Sequence, residues 1–196
     1  MANRVEPIRD KKKIAAIKKM LKNKGKYRDY CLFVCGINFG LSIGDLLETQ
    51  VKDVRNSLSE IKDSFEITEQ KTGKLNVIAI NEKAKEAIKL LFSRTNIEND
   101  LNNYLFYNTR KKAGKYNISR AAAYYLVNKW CRNVGITNIN IGTHTLRKTF
   151  GYHAWKNGVS IEVIQKKYKH VSTSTTRHYL GIEQKDVIES YHKLDL

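Results

Sequence analysis

The stretch from Tyr30 to Gly44, YCLFVCGINFGLSIG, contains no charged residue. In a chain with 36 lysines and arginines among 196 residues, a charge-free run of that length belongs in an interior. It is too short, and too interrupted by Gly36 and Asn38, to cross a bilayer, which takes about 20 apolar residues. It therefore reads as a helix through DYCLFVCGINFG. Cys31 and Cys35 fall one helical turn apart beside Leu32, Phe33 and Val34, which marks them as packing residues. With Cys131 they are too few for a disulfide framework, and no second CxxC-like pair completes a zinc site.

The rest of the chain reads as further helices and one hairpin. Pro7 is the sole proline and nothing resembles a linker. Asp10 can cap a helix whose Ile14, Ile17, Met20 and Leu21 share one face, ending near Gly25. A short helix is expected over IGDLLET, and Val51–Val54 begins an extended region. FEITEQKTGKLNVIAI reads as a β-hairpin, with Phe65, Ile67, Val77 and Ala79 alternating and Lys71-Thr72-Gly73 at the turn. EKAKEAIKLLFSRT is helical, and YLFYN is a short apolar piece. Asn117 or Ser119 starts a helix through AAAYYLVNKWCRNVG that stops at Gly135. Helices over 144–157, 160–168, 172–180 and 184–193 complete a mostly helical α+β domain with one small antiparallel sheet.

The formal net charge is +17 and the isoelectric point about 9.8. A solvated lysine-rich surface would account for this blandly. A polyanion partner accounts for it better, because each phosphate contact releases counterions. A membrane surface is the weaker rival, since no long basic amphipathic helix stands alone. The opening MANRVEPIRDKKK lacks the apolar segment of a signal peptide, which points to a cytoplasmic protein, and a DNA partner would make it nucleoid-associated.

Four pieces carry potential chemistry: Thr143-His-Thr-Leu-Arg147, Lys169-His170, Tyr179 in TTRHYLGI, and Lys71 at the hairpin tip. Each alone has an ordinary explanation, as surface decoration, rim or solubility. Their order is more informative. Twenty-three positions separate Arg147 from His170 and nine separate His170 from Tyr179, and the helical phase allows one shared pocket.

HTLRKTFGYHAWKNGVSIEVIQKKYKHVSTSTTRHYL, taken with the hairpin QKTGK and the helix GLSIGDLL, resembles the tyrosine recombinases of the phage-integrase type. The resemblance runs from about residue 8 to residue 182. It implies a tyrosine-recombinase catalytic domain with a small antiparallel sheet packed among helices. It also implies an enzyme that cuts and rejoins double-stranded DNA through a covalent 3′-phosphotyrosyl link, with no metal and no cofactor. Carried over residue by residue, Tyr179 is the nucleophile and Arg147 is one of two arginines clamping the phosphate oxygens. His144 assists near the nucleophile, and His170 donates to a nonbridging oxygen. Lys71 protonates the leaving 5′-oxygen. Planar guanidinium donors suit the clamp better than lysine.

One element departs from this pattern. The family's first clamp arginine lies in a helix start like Gly-Leu-Arg-Ile-Ser-Glu-Leu, where this chain reads Gly40-Leu-Ser-Ile-Gly-Asp-Leu46. Ser42 stands at the arginine's place. Asp45 stands at the acidic position that braces it, and is expected to be left without its cation. Arg28 and Arg55 are too far along the chain to substitute locally. Three explanations compete: a variant engineered to bind without cutting, a decayed or regulatory paralogue, or another residue that completes the clamp, with Lys74 the nearest candidate.

Proteins of the resembled family usually place a separate helical DNA-binding domain before the catalytic one, which here begins almost at Met1. The chain is either a naturally minimal recombinase, the reading that MANRVEP favours, or a fragment. Residues 1–196 then form a single catalytic domain, with 1–9 as an N-terminal extension and 183–196 as a tail helix. Val187, Ile188, Tyr191 and Leu194 of that tail would fold back, or dock into a neighbouring protomer of a DNA-bound tetramer. Two functions follow: a working recombinase, or a cleavage-deficient DNA-binding accessory of the same fold. A topoisomerase-like relaxer is a third.

Overall fold

Asp10 opens the first helix, its side chain accepting from the Lys12 amide at 2.7 Å, and α1 (Lys11–Asn23) buries Ile14, Ile17 and Leu21 on one face. Tyr30–Phe39 of the charge-free run lies in α2 (Tyr27–Phe39), where every residue from Cys31 to Cys35 is at most 1% exposed. All three cysteines are free and buried. The computed structural model describes residues 4–56, 60–70, 73–112, 114–182, 186 and 188.

Helices α3 (Ile43–Leu47) and α4 (Val51–Val54) follow. The extended region expected at Val51–Val54 is thus a helical turn. Gln50 and Asp53 cap each other reciprocally, which satisfies the orphan amides of a four-residue helix too short to show an apolar period.

Strands β1 (Ser64–Thr68) and β2 (Leu75–Ala79) form the hairpin, antiparallel, with Phe65 opposite Ile78 and Ile67 opposite Asn76. Val77 and Ala79, read from the sequence as part of the alternating apolar set, therefore point outward. Val77 is 58% exposed, whereas Ile78 is 1% exposed and Phe65 packs on the Phe39 ring. A one-residue slip in a strand exchanges its two faces, and β2 carries apolar side chains on both. Lys71 and Thr72, at the expected turn, lie outside the described residues.

Helix α5 (Glu82–Arg94), capped by Asn81, buries Ala84, Ala87, Ile88 and Leu91. An irregular segment follows in which Leu105 and Phe106 are fully buried. Ser119 then caps α6 (Arg120–Asn133), whose Trp130 meets Phe33 edge-on. The C-terminal half comprises α7 (Thr145–Lys156), α8 (Ile161–Tyr168) and α9 (Thr173–Leu180), the last two opened by Ser160 and Ser172 side chains.

These elements bury two clusters. The larger gathers α1 to α6, the hairpin and Leu146 of α7. The smaller holds Ile161, Ile164, Tyr168 and Leu180, with Phe150, Trp155 and Tyr179 against it. Helix α7 belongs to both. Its approach to α2 depends on Gly36, where a Cβ would lie 2.5 Å from Leu146 Cδ1. Gly40 ends α2 in the left-handed region at φ +64°, and a Cβ there would meet the Phe150 ring at 2.6 Å.

Residues 4–9 run along α7 and reach α9. Val5 bridges to Asn140, and the Ile8 amide donates to Thr149 Oγ1 at 2.9 Å. His153 Nε2 meets the Ile8 carbonyl at 2.9 Å, and Arg9 Nη2 donates to the Gly181 carbonyl at 2.6 Å. Most of the tail expected as a helix over 184–193, including Val187, Tyr191 and Leu194, lies outside the described residues. Of its described members, Asp186 is buried and accepts from Tyr152 Oη at 3.2 Å, while Ile188 is 48% exposed.

Candidate active site

A cleft of about 810 Å³ lies where α7, α8 and α9 face α3, the end of β1 and the start of α6. Its lining includes Ser42, Asp45, His144, Arg147, His170 and Tyr179, so the fold brings together six of the seven residues expected at the site. The seventh, Lys71, lies outside the described residues, immediately after Gln70 of the lining.

Tyr179 sits in the last turn of α9 with its ring caged. The His170 ring lies edge-on at 4.9 Å between centroids, Tyr168 at 5.6 Å and His144 at 6.1 Å. Lys148 Nζ lies 4.5 Å from the ring centroid. The Tyr179 hydroxyl is 3.0 Å from His144 Nδ1. Burial pushes its pKa up to about 12, and the nearby Arg147 guanidinium pulls the other way. The phenol is therefore protonated at neutral pH. His144, at the N-cap of α7, can accept its hydrogen bond when Nδ1 carries no proton.

Arg147 is fixed on three sides. Nη1 donates to the Gly40 carbonyl at 2.9 Å, and the guanidinium stacks 4.3 Å over the Tyr168 ring. The Tyr168 hydroxyl in turn donates to the Arg147 carbonyl. His170 follows α8 through Lys169, which adopts φ +56° and pairs with Glu69 at 2.8 Å. Its Nδ1 lies 3.1 Å from Thr176 Oγ1, and that hydroxyl also donates to the Ser172 carbonyl. Thr176 thus accepts from Nδ1–H and leaves Nε2 facing the cleft, an assignment made from the partners. Burial first, then Arg147 and Lys148, lowers the His170 pKa, so an entering phosphate is what would favour its doubly protonated, donating form.

Ser42 caps α3: its hydroxyl accepts from the Asp45 amide at 3.2 Å and donates to Asp45 Oδ2 at 2.7 Å. The Gln70 amide donates to Asp45 Oδ1 at 3.0 Å. Asp45 is therefore not the bare carboxylate expected beside a serine, because both of its oxygens have donors. Arg28 and Arg55 are engaged elsewhere, on Asp29 and on the Glu98 carbonyl, and Lys74 is not among the lining residues. Sequence reasoning missed Tyr168, Lys148, Gln70 and Arg120. Tyr168 stands two residues before His170, a spacing that could have drawn attention to it.

The profile of the Phage integrase family matches residues 9–185 of the chain. The chain belongs to the phage integrase family. This integrase-family chain is 41% identical over 187 residues to the probable integrase/recombinase YoeC of Bacillus subtilis (strain 168), covering 95% of each. It is 28% identical to the tyrosine recombinase XerC of Thermodesulfovibrio yellowstonii over 85% of its own length and 54% of that protein. It thus spans nearly all of YoeC and about half of XerC. Among solved structures it superposes on XerA recombinase with a TM-score of 0.76 at 20% identity, covering 97% of this chain and 66% of that one. XerH bound to palindromic difH substrate in a post-cleavage complex gives 0.71 at 16% identity, over 96% and 53%. These likenesses establish the tyrosine-recombinase catalytic fold.

Proposed function

We propose that the chain is a site-specific DNA strand transferase with Tyr179 as its nucleophile. The observation that carries this is the Tyr179 hydroxyl 3.0 Å from His144 Nδ1, in a cleft shared with Arg147 and His170. Tyr179 Oη bonds to the scissile phosphorus and gives its proton to His144. The bond from phosphorus to the 5′-oxygen breaks, and that oxygen leaves with a proton from Lys71. A 3′-phosphotyrosyl link remains, and a 5′-hydroxyl attacking it reverses every step. The part of the Arg147 fork not spent on Gly40 meets the nonbridging oxygens together with His170. The net charge of +17 supports duplex DNA as the partner. Residues 1–196 act as one catalytic unit, assembled as a tetramer on paired sites in the cytoplasm.

A second reading, favoured by Ser42, is a DNA-binding accessory that cuts little. Loss of one preorganised donor to a transition-state oxyanion costs about 100- to 1,000-fold in rate. A nicked suicide substrate bearing candidate sites separates the two. The expected result is a protein–DNA band that survives denaturant and vanishes in Tyr179→Phe. A band absent from both proteins while DNA is still bound would establish the accessory instead.

A further inference from the structure

Resting on the strand-transfer reading, we infer that Arg120 supplies the phosphate-clamping guanidinium that Ser42 lacks. The cleft's other cations besides Arg147 narrow the choice. Lys169 is committed to Glu69 at 2.8 Å, and Lys74 is not in the lining. Arg120 is in it, and it arrives there from the first residue of α6.

Its guanidinium lies flat on Gly44, two residues beyond Ser42. A Cβ built on Gly44 would lie 2.5 Å from Arg120 Nη2, 2.9 Å from Cζ and 3.0 Å from Nε. The space where any other residue at 44 would carry its side chain is filled by the arginine. The related pattern Gly-Leu-Arg-Ile-Ser-Glu-Leu has a side chain at that place and an arginine two residues before it. This chain has serine at 42 and glycine at 44.

Asp45 connects to Arg120 through Gln70. Asp45 takes its donors from Ser42 Oγ and the Gln70 amide, and the Gln70 side chain accepts from Arg120 Nη2 at 2.5 Å. The acid that would hold an arginine at 42 holds Gln70, and Gln70 holds Arg120. The position of Arg120 also runs against local electrostatics. The first turn of α6 contains no acid, and a cation at a helix N-terminus meets the positive end of the dipole. An incoming phosphate would relieve both charges.

The test compares Arg120→Ala, Arg120→Lys and the double variant Ser42→Arg/Arg120→Ala in single-turnover cleavage of a nicked suicide substrate at saturating DNA. Arg120→Ala should form adduct about 100- to 1,000-fold more slowly than the unmodified protein, and Arg120→Lys should recover only part of this. The double variant should regain most of the rate, because it returns a guanidinium to the same phosphate from position 42. Circular dichroism confirms that each variant is folded. If Arg120→Ala weakens binding and flattens its salt dependence but cleaves at an unchanged rate once saturated, Arg120 is an ordinary phosphate contact and the inference fails alone. A slow Arg120→Ala that the double variant does not rescue also overturns it. No adduct from the unmodified protein overturns the strand-transfer reading, and this inference with it.

Discussion

Gly44→Ala should separate stability from chemistry. On propensity alone, alanine in a regular helix is better than glycine by up to about 1 kcal/mol, and Gly44 has no left-handed backbone to defend. What opposes the change is the Arg120 side chain. Its Nη2 must retreat by about 0.9 Å, from 2.5 Å to the 3.4 Å of an ordinary contact with the new Cβ. The far end of an arginine moves cheaply, so the fold should not suffer. The hydrogen bond to Gln70 and the aim of the guanidinium should. A misplacement of about 1 Å in a reacting constellation costs on the order of 100-fold. The expected result is a melting temperature equal to or above that of the unmodified protein, with adduct formation slowed between 10- and 100-fold on that scale. Thermal denaturation and single-turnover cleavage at saturating DNA measure the two. Undiminished cleavage by a folded Gly44→Ala protein would refute the reasoning, since it would mean that the guanidinium's seat on Gly44 does not matter.

Three other outcomes follow from the same geometry. Gly151→Ala places a Cβ 2.6 Å from both Leu180 Cδ2 and Tyr168 Oη. Overpacking of about 1–3 kcal/mol should outweigh the propensity gain and lower the melting temperature by about 2–4 °C per net kcal/mol, and cleavage should fall as α9 is displaced. Tyr179→Phe loses the bond to His144 and should change stability by no more than about 1.5 kcal/mol in urea denaturation, so the inactive variant stays folded. Lys148, 5% exposed, has its pKa lowered to about 8 by burial and by Arg4. Between pH 8 and the ordinary lysine value the unfolded chain binds the extra proton, so stability should rise with pH by up to about 1.4 kcal/mol per unit, and Lys148→Met should flatten that slope.

Much of the fold could be read because its signals are local. Asp10 caps its helix as expected, and Ser119 is the one of the two expected starts that caps α6. The helices expected from 160 and 172 begin there, and Tyr30–Phe39 of the charge-free run does become the buried α2. His144, Arg147, His170 and Tyr179 meet because the helices carrying them are short and joined by tight turns. Local signals failed where structure is decided by partners. The helical turn at Val51–Val54 depends on a reciprocal cap, and the face of β2 depends on its register against β1. Arg120 was invisible for a different reason. It reaches Gly44 and Gln70 only through tertiary packing, and the hairpin drew attention to Lys74 instead. Two faint cues were present: a side-chain-free residue inside a short helix, and an arginine at the wrong end of a helix dipole.

The division of the interior into two clusters bears on what happens after the strand is cut. The cleaved 3′ end would be tethered to α9, in the smaller cluster of Ile161, Ile164, Tyr168 and Leu180, while α3, the hairpin and α6 stand on the larger. A unit with so few buried side chains opens at lower free energy than the body beside it. On the strand-transfer reading, the tether would move with the smaller cluster while α3, the hairpin and α6 stay seated on the larger. That is the division of labour strand exchange would require.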